Sequence, residues 1–442
     1  MRYSNVIVSC VLFFTASLAN AQEGAAVAGS FDLIQTYQLA VQNDAELQAA
    51  ASTLQAEKEA KPQALADLLP NISAKVNSGN LRNESTSAGR STDEYRDEGF
   101  SVSLTQTLFN WQQFGRLDQA NKEVLRAGIQ YQLAEQELIL RVTERYLNTL
   151  TAQASLSLAN DNVKAFQQQL EQAKFRFEVG IVAITDVHDA QARHDLAVAS
   201  KISAEDGVSS TREALLEVIQ TDYTQLAALK KEFVAVSPEP NNISDWENTA
   251  SQHNLAVKIA SSNVAIAKKQ ISILQSGHLP TLDFVASHSY NETGDDHFSS
   301  ESDRIGVELN IPLFSGGKTS SRVQQAVKLH QVSLDSLKST QRTNKRETRD
   351  AFRGVNASLH RISALKQATI SNQSSLEASE AGLGAGTRTI VDVLDAQSNL
   401  TSAKFELIKE KEKYLLEVLK LKSAAGTLST IDLEQINQWL SH

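Results

Sequence analysis

Gly180-Ile181-Val182-Ala183-Ile184-Thr185-Asp186-Val187-His188-Asp189-Ala190-Gln191 returns 206 residues later as Gly386-Thr387-Arg388-Thr389-Ile390-Val391-Asp392-Val393-Leu394-Asp395-Ala396-Gln397. Gly, Ile, Asp, Val, Asp, Ala and Gln match position for position. Leu69-Pro70 before a strand-like run returns at Leu279-Pro280, and Leu108-Phe109 before a long polar helix returns at Leu313-Phe314, with offsets of 210 and 205. Near-constant offsets over three landmarks mark a structural duplication. Each copy reads as a helix, two strands and a very long helical region.

Outward from the first quoted segment, Ile129 to Val179 holds neither Gly nor Pro over 51 residues. At ~1.5 Å per residue such a helix spans roughly 75 Å. Thr149, Ala152, Leu156, Ala159, Val163, Phe166, Leu170, Ala173 and Phe177 follow one another in an unbroken alternation of three and four, the seam of a coiled coil. A step of seven recurs at Val393, Leu400, Leu407, Tyr414, Leu421 and Leu428, and a sustained period of about 3.5 predicts left-handed supercoiling. These stripes are packing surfaces. Gly180 and the cluster Gly382, Gly384 and Gly386 interrupt the helical pattern at equivalent points, so the rod is expected to reverse there in tight antiparallel tips.

The strands carry a different period. Phe100, Val102, Leu104 and Leu108 alternate with Ser101, Ser103, Thr105 and Thr107, while Leu282, Phe284, Ala286 and Tyr290, then Ile305, Val307, Leu309 and Ile311, form two further apolar faces. Asn71 to Ser78 alternates more weakly. One apolar and one polar face describe a wall between hydrocarbon and water, or equally a half-buried soluble sheet. Residues 80–98 and 291–303, rich in Ser, Thr, Asn, Asp and Glu, are expected as exposed loops between the paired strands. Four strands cannot close a barrel, which takes about eight in a single chain, so membrane strands here would have to be shared among copies.

The composition narrows the function classes. The chain has 442 residues, 41% hydrophobic and 21% charged, with only 6 Pro and 6% aromatic residues, which favours long helices over a compact enzyme fold. Its formal charge of -10, without a basic block, leaves no electrostatic footprint for nucleic acid. Arg2 precedes an apolar run from Val6 to Leu18 that ends in Ala19-Asn20-Ala21, so residues 1–21 read as a cleaved secretory signal. Cys10 sits inside that run rather than after it, which disfavours lipidation, and the mature chain has no cysteine. No other apolar run approaches the ~20 residues of a spanning helix, so any membrane crossing must be made by strands.

Taken together, the export signal, the duplicated plan and the two tips resemble the TolC family of outer-membrane channel-tunnels over nearly the whole mature chain. The resemblance is carried by Arg176-Phe177-Glu178-Val179-Gly180-Ile181-Val182-Ala183-Ile184-Thr185-Asp186-Val187 and by Gly386-Thr387-Arg388-Thr389-Ile390-Val391-Asp392-Val393-Leu394-Asp395-Ala396. His278-Leu279-Pro280-Thr281-Leu282-Asp283 and Lys422-Ser423-Ala424-Ala425-Gly426-Thr427-Leu428 support it. It implies a mostly α chain whose long antiparallel coiled-coil hairpins are joined to four strands of a membrane β-barrel, twelve-stranded and shared by a homotrimer. By this resemblance residues 22–67, 112–277 and 317–442 form a periplasmic tunnel, with an equatorial band at about 222–250 and 427–442. Residues 68–111 and 278–316 would be the barrel's strand pairs. Implied partners are a periplasmic adaptor, an inner-membrane efflux pump or ABC exporter, and outer-membrane lipid.

A channel makes no bonds, so its working residues are fixed charges at a constriction. Asp392 and Asp395, three apart, share a helix face. In the family the matching aspartates ring the periplasmic entrance, where crowding would raise the pKa of some members and favour cations, including a multivalent blocker. By the same resemblance Arg388 would bond to Asp186 and Gln169 of facing coils and latch the entrance, with the glycine tips 180, 382, 384 and 386 meeting the partner. The closely related channel carries Tyr where this chain has Leu383, so one closing link is absent. His188, Asp189 and His194 have poor metal spacing on a helix, and His297 with Asp295, Asp296 and Glu301 suggests an outer-loop cation site that competes with a plain solvated loop. Gly316-Gly317 reads as a turn. No nucleophile elbow, zinc motif or phosphate-cradling loop is present, so neither enzyme activity nor a cofactor is expected. The resulting expectation is an exit duct for efflux or type I protein secretion; the alternative is a soluble periplasmic coiled-coil adaptor or structural rod.

Overall fold

The structure, a computed structural model, describes residues 30–85, 91–230, 232–293 and 298–441. The expected signal segment lies outside them. In chain order the elements are β1 (Ser30–Phe31), α1 (Leu33–Asn43), α2 (Ala45–Lys58), α3 (Ala60–Ala66), β2 (Asn71–Ser85), β3 (Ser91–Phe109), α4 (Trp111–Glu178), α5 (Ile184–Ile219), β4 (Gln225–Leu226), α6 (Ile243–His253), α7 (Leu255–Gln275), β5 (Thr281–Thr293), β6 (Phe298–Asn310), α8 (Lys318–Gly384), α9 (Ile390–Ala425) and α10 (Thr430–Asn437). The duplication is plain in the lengths: α4 and α8 run 68 and 67 residues, and α5 and α9 run 36 each. At ~1.5 Å per residue the two long helices each extend roughly 100 Å.

α4 begins at Trp111, well before Ile129, because Gly115 and Gly128 sit inside the helix rather than ending it. Gly115 has a packing reason, since a Cβ there would come within 2.7 Å of the Ile273 side chain on α7. The coiled-coil seam is buried at Phe166, Leu170 and Ala173, and opens at its end, where Phe177 is exposed. α5 packs on α4 and α9 on α8 as antiparallel hairpins. Near the tips one apolar cluster joins all four coils, with Leu170 and Ala173 from α4, Val187 and Ala190 from α5, Leu376 and Leu383 from α8, and Val393 and Leu400 from α9.

A larger cluster lies near the midpoint of the long helices, where α1, α10 and the β1–β4 pair wrap them. The fully buried Tyr146 donates its hydroxyl to the carbonyls of Ala227, at 2.8 Å, and Phe31, at 3.1 Å. Two peripheral segments are thereby tied to the centre of α4. The Tyr414 hydroxyl similarly donates to the Val236 carbonyl at 2.7 Å, and an isolated bridge pairs Leu229 with Leu440.

The four long strands form one antiparallel sheet in the order β2-β3-β5-β6. Its register puts Ile72, Ala74, Val76, Phe100, Val102, Leu104, Leu282, Phe284, Ala286, Ile305, Val307 and Leu309 on one face. The other face is polar, with Ser73, Lys75, Ser101, Ser103, Ser287, Ser289, Ser302 and Arg304. Two differences from the sequence expectation concern the strand ends. Pairing continues to Ser85↔Ser91 and to Thr293↔Phe298, through much of 80–98 and 291–303, because a backbone ladder propagates whatever the polarity of its side chains. Leu108 does not continue the alternation of Phe100, Val102 and Leu104: the register shifts between Thr107 and Phe109, so Phe109 rather than Leu108 faces Leu282. Among the described residues no helix is long and apolar enough to cross a membrane.

One buried acid sits apart from these contacts. Glu412 on α9 is 6% exposed and its Oε2 has no hydrogen-bond partner. Burial pushes its carboxyl up from 4.5 to about 9. The folded chain therefore keeps this proton while the unfolded chain loses it above pH 4.5, so the cost to folding grows as pH rises from 4.5 towards 9 and then levels off. Glu412→Gln, which mimics the neutral acid, is expected to leave the thermal midpoint unchanged at pH 4 and to raise it at pH 8, by up to about 1.4 kcal/mol of stability per intervening pH unit. A gain of equal size at both pH values would contradict a neutral buried Glu412.

Candidate functional site

The two tips close with the same backbone device. At the first, the Ile181 N–H donates to the Arg176 carbonyl at 2.8 Å, and Gly180 takes φ +74°. At the second, the Thr387 N–H donates to the Gly382 carbonyl at 2.9 Å, and Gly386 takes φ +73°. Both are left-handed C-terminal caps in which glycine avoids a Cβ clash. Gly382 and Gly384 do not share this conformation, because α8 continues through them. Gly382 instead makes room, since a Cβ there would meet Arg388 Cγ at 2.6 Å.

Past the second turn, Thr389 caps α9. Its side chain accepts from the Asp392 N–H at 3.2 Å, while Asp392 Oδ2 accepts from the Thr389 N–H and hydroxyl, each at 2.8 Å. These two donors, with Arg388 adding to them, hold the Asp392 carboxyl below the usual carboxylate range. Asp392 is thus a fixed negative charge at a helix N-terminus. Within one chain these local donors push opposite to the upward shift expected of a ring of crowded aspartates.

Arg388, in the turn ahead of α9, reaches forward onto that helix, its Nη1 lying 3.4 Å from Asp392 Oδ1. Among the described residues it donates to neither Asp186 nor Gln169, so the three expected latch residues are not joined inside one chain. Gln169 is left with a buried Oε1 that has no partner. Leu383 lies 8% exposed in the tip cluster, where an apolar side chain supplies packing and no hydroxyl. Its carbonyl accepts from Arg176 at 3.4 Å.

One residue escaped the sequence reading. Arg193 on α5 reaches across to α9, its Nη2 2.7 Å from Asp395 Oδ1. It pins the two hairpins together and balances the charge of one of the two candidate entrance aspartates. The segment around it, His188-Asp189-Ala190-Gln191-Ala192-Arg193, shows a cation about two turns after Asp186, but only the relative rotation of the hairpins says what it meets. His188, Asp189 and His194 do not converge on one ion, whereas His194 lies 3.2 Å from Asp195. His297, Asp295 and Asp296 lie outside the described residues.

A strand pair, a long helical hairpin and their repetition, with carboxylates and arginines gathered at the tips, match one known family. The outer membrane efflux protein family covers residues 36–219 and 246–427 of this sequence. The chain belongs to that family. It is 36% identical over 415 residues to outer membrane protein TolC of Vibrio cholerae serotype O1, covering 92% of this chain and 94% of that one. It is 28% identical to the alkaline protease secretion protein AprF of Pseudomonas aeruginosa, covering 91% of this chain and 86% of AprF. The crystal structure of CusC superposes with a TM-score of 0.77 at 16% identity, covering 89% of this chain and 92% of that chain, which establishes the shared fold. The molecule is therefore an outer-membrane efflux channel, and its relatives are channels rather than enzymes. Family membership decides against the soluble adaptor or rod.

The cap at Thr389 is open to test. Removing an N-cap hydroxyl costs about 1 kcal/mol, so in Thr389→Ala the Asp392 amide, which that hydroxyl accepts, is expected to exchange hydrogen about fivefold faster. Unchanged exchange there would remove the capping box from the account of the tip.

Proposed function

We propose that three copies of this chain share one twelve-stranded barrel and a helical tunnel, forming an exit duct gated at the tips of the coils. The observation that carries this reading is the open sheet. β2 and β6 are edge strands, and their apolar face stands in solvent in one chain, with Val76 80% and Ile305 79% exposed. Four antiparallel strands with two free edges join copy to copy as β6 to β2, and three copies give twelve strands. Leu313 and Phe314, 92% and 90% exposed just after β6, supply further apolar surface for a neighbouring copy.

In the assembled duct the latch is made between copies. The unpartnered Gln169 Oε1 and the Asp186 carboxylate are acceptors, and the Arg388 guanidinium, held among the described residues by a 3.4 Å contact to Asp392, is the donor offered by a neighbour. Asp392 and Asp395 would ring the entrance, with Arg193 offsetting the charge of Asp395. The tips around Gly180 and Gly386 are the surface for a periplasmic adaptor and an inner-membrane transporter. The likeness to AprF supports type I protein secretion alongside small-molecule efflux.

Single-channel recording in planar bilayers tests the reading. The detergent-purified protein is expected to show a low, stable conductance blocked by a trivalent cation from one side only, and Asp392→Ala with Asp395→Ala should abolish the block. Arg388→Ala or Asp186→Ala should raise conductance; no change in both would sink the latch. Arg193→Gln unmasks Asp395, and because an exposed ion pair is worth about 1 kcal/mol or less, the block should tighten by up to about fivefold per pair lost. A weaker block in Arg193→Gln would show that the arginine holds the entrance geometry rather than tempering its charge.

A further inference from the structure

Strands β5 and β6 carry a group of side chains, at the end of their own apolar run, that the channel reading does not use. The ladder sets His288 opposite Asp303 and Tyr290 opposite Glu301. Residues two apart on a strand share a face, so His288, Glu301 and Asp303 project together from the face that carries Ala286 and Ile305. His288 Nδ1 lies 2.8 Å from Asp303 Oδ1, and one ligand atom from each of the three side chains comes within 4.8 Å of the others. The Phe100 ring, on the adjacent strand, stands 5.6 Å from the imidazole, so the histidine is flanked by an aromatic ring and tied to a carboxylate.

We propose that His288, Glu301 and Asp303 bind a divalent transition-metal ion, with Zn2+ as the reference ligand. The donor set is one imidazole nitrogen and two carboxylate oxygens, which suits Zn2+ and its first-row neighbours, whereas Mg2+ and Ca2+ prefer oxygen alone. In a tetrahedral zinc site the ligand atoms sit ~3.3 Å apart. The His288–Asp303 pair is already closer than that, and a small side-chain rotation brings Glu301 in. The ladder fixes the three Cα positions, so binding asks for no backbone change. Metal on Nδ1 places the ring proton on Nε2 and leaves a fourth coordination position open to water or to another oxygen donor. The site depends on the β5–β6 register and is independent of how copies assemble. The outer-loop grouping of His297, Asp295, Asp296 and Glu301 suggested by the sequence shares only Glu301 with it.

The test is titration of the full chain in detergent with Zn2+ by calorimetry, in a background carrying Asp392→Asn and Asp395→Asn so that the tip carboxylates do not contribute. One Zn2+ per chain is expected. His288→Ala should weaken binding about tenfold or more, with Asp303→Asn and Glu301→Gln each weakening it in the same direction. Ser289→Ala, on the opposite face of β5, should leave binding unchanged, and an unaltered far-UV spectrum of each variant separates lost ligation from misfolding. Co2+ should give visible absorption of four- or five-coordinate metal that disappears in His288→Ala. Absence of saturable Zn2+ binding in the parent, or binding unaffected by His288→Ala, would overturn the site.

Discussion

A backbone N–H or C=O that faces hydrocarbon has no water to bond, and each unsatisfied group costs several kcal/mol. In one chain the outer edges of β2 and β6 leave such groups in a row, while β3 and β5 are paired on both sides. For an outer-membrane protein this cannot persist, and the proposed joining of β6 to β2 in the next copy satisfies both edges at once. The same closure gives the apolar face its lipid and the polar face, with Lys75, Arg304 and the serines, its water. The wall of the channel is thus set by hydrogen-bond satisfaction first and by hydrophobicity second.

The helical part continues directly from the strand pairs. Each strand pair hands the chain to a helix of 68 or 67 residues that turns back as a helix of 36. A helix this long has no globular core around it, so it is held by the heptad seam along its length and by two concentrated clusters. The midpoint cluster is reinforced by the buried Tyr146 hydroxyl, and the tip cluster binds the two hairpins to each other. Between those clusters many seam positions are only half-buried. Arg193 with Asp395, and Arg176 with the Leu383 carbonyl, then supply polar contacts between hairpins at the end where the proposed gate must move.

Much of this was legible in the sequence, for identifiable reasons. The seams of α4 and α9 are read from a local period, and the reversals at Gly180 and Gly386 from a residue that alone tolerates φ near +74° without strain. The strand faces showed as alternation because one side is apolar. What lay beyond reading depends on pairing between distant parts of the chain. The strands outrun their apolar residues because the ladder needs no side-chain preference, and the bulge that gives Phe109 the place of Leu108 is a property of the β3–β5 register. The Arg193–Asp395 pair joins residues 202 apart and exists only once two hairpins have packed at one rotation. His288 meets Asp303 for the same reason, through a register that composition does not encode. Gly382 neighbours the turn in sequence, yet its role is close approach to Arg388.

The joining of β6 to β2 is the claim from which the channel follows, and residue-resolved amide hydrogen exchange of the assembled protein tests it most directly. Within the membrane-spanning stretch, the outward N–H groups of β2 and β6 should be protected to the same degree as those of β3 and β5, because a neighbouring strand accepts them. Fast exchange along the outer edges of β2 and β6, with β3 and β5 protected, would contradict a barrel shared among copies.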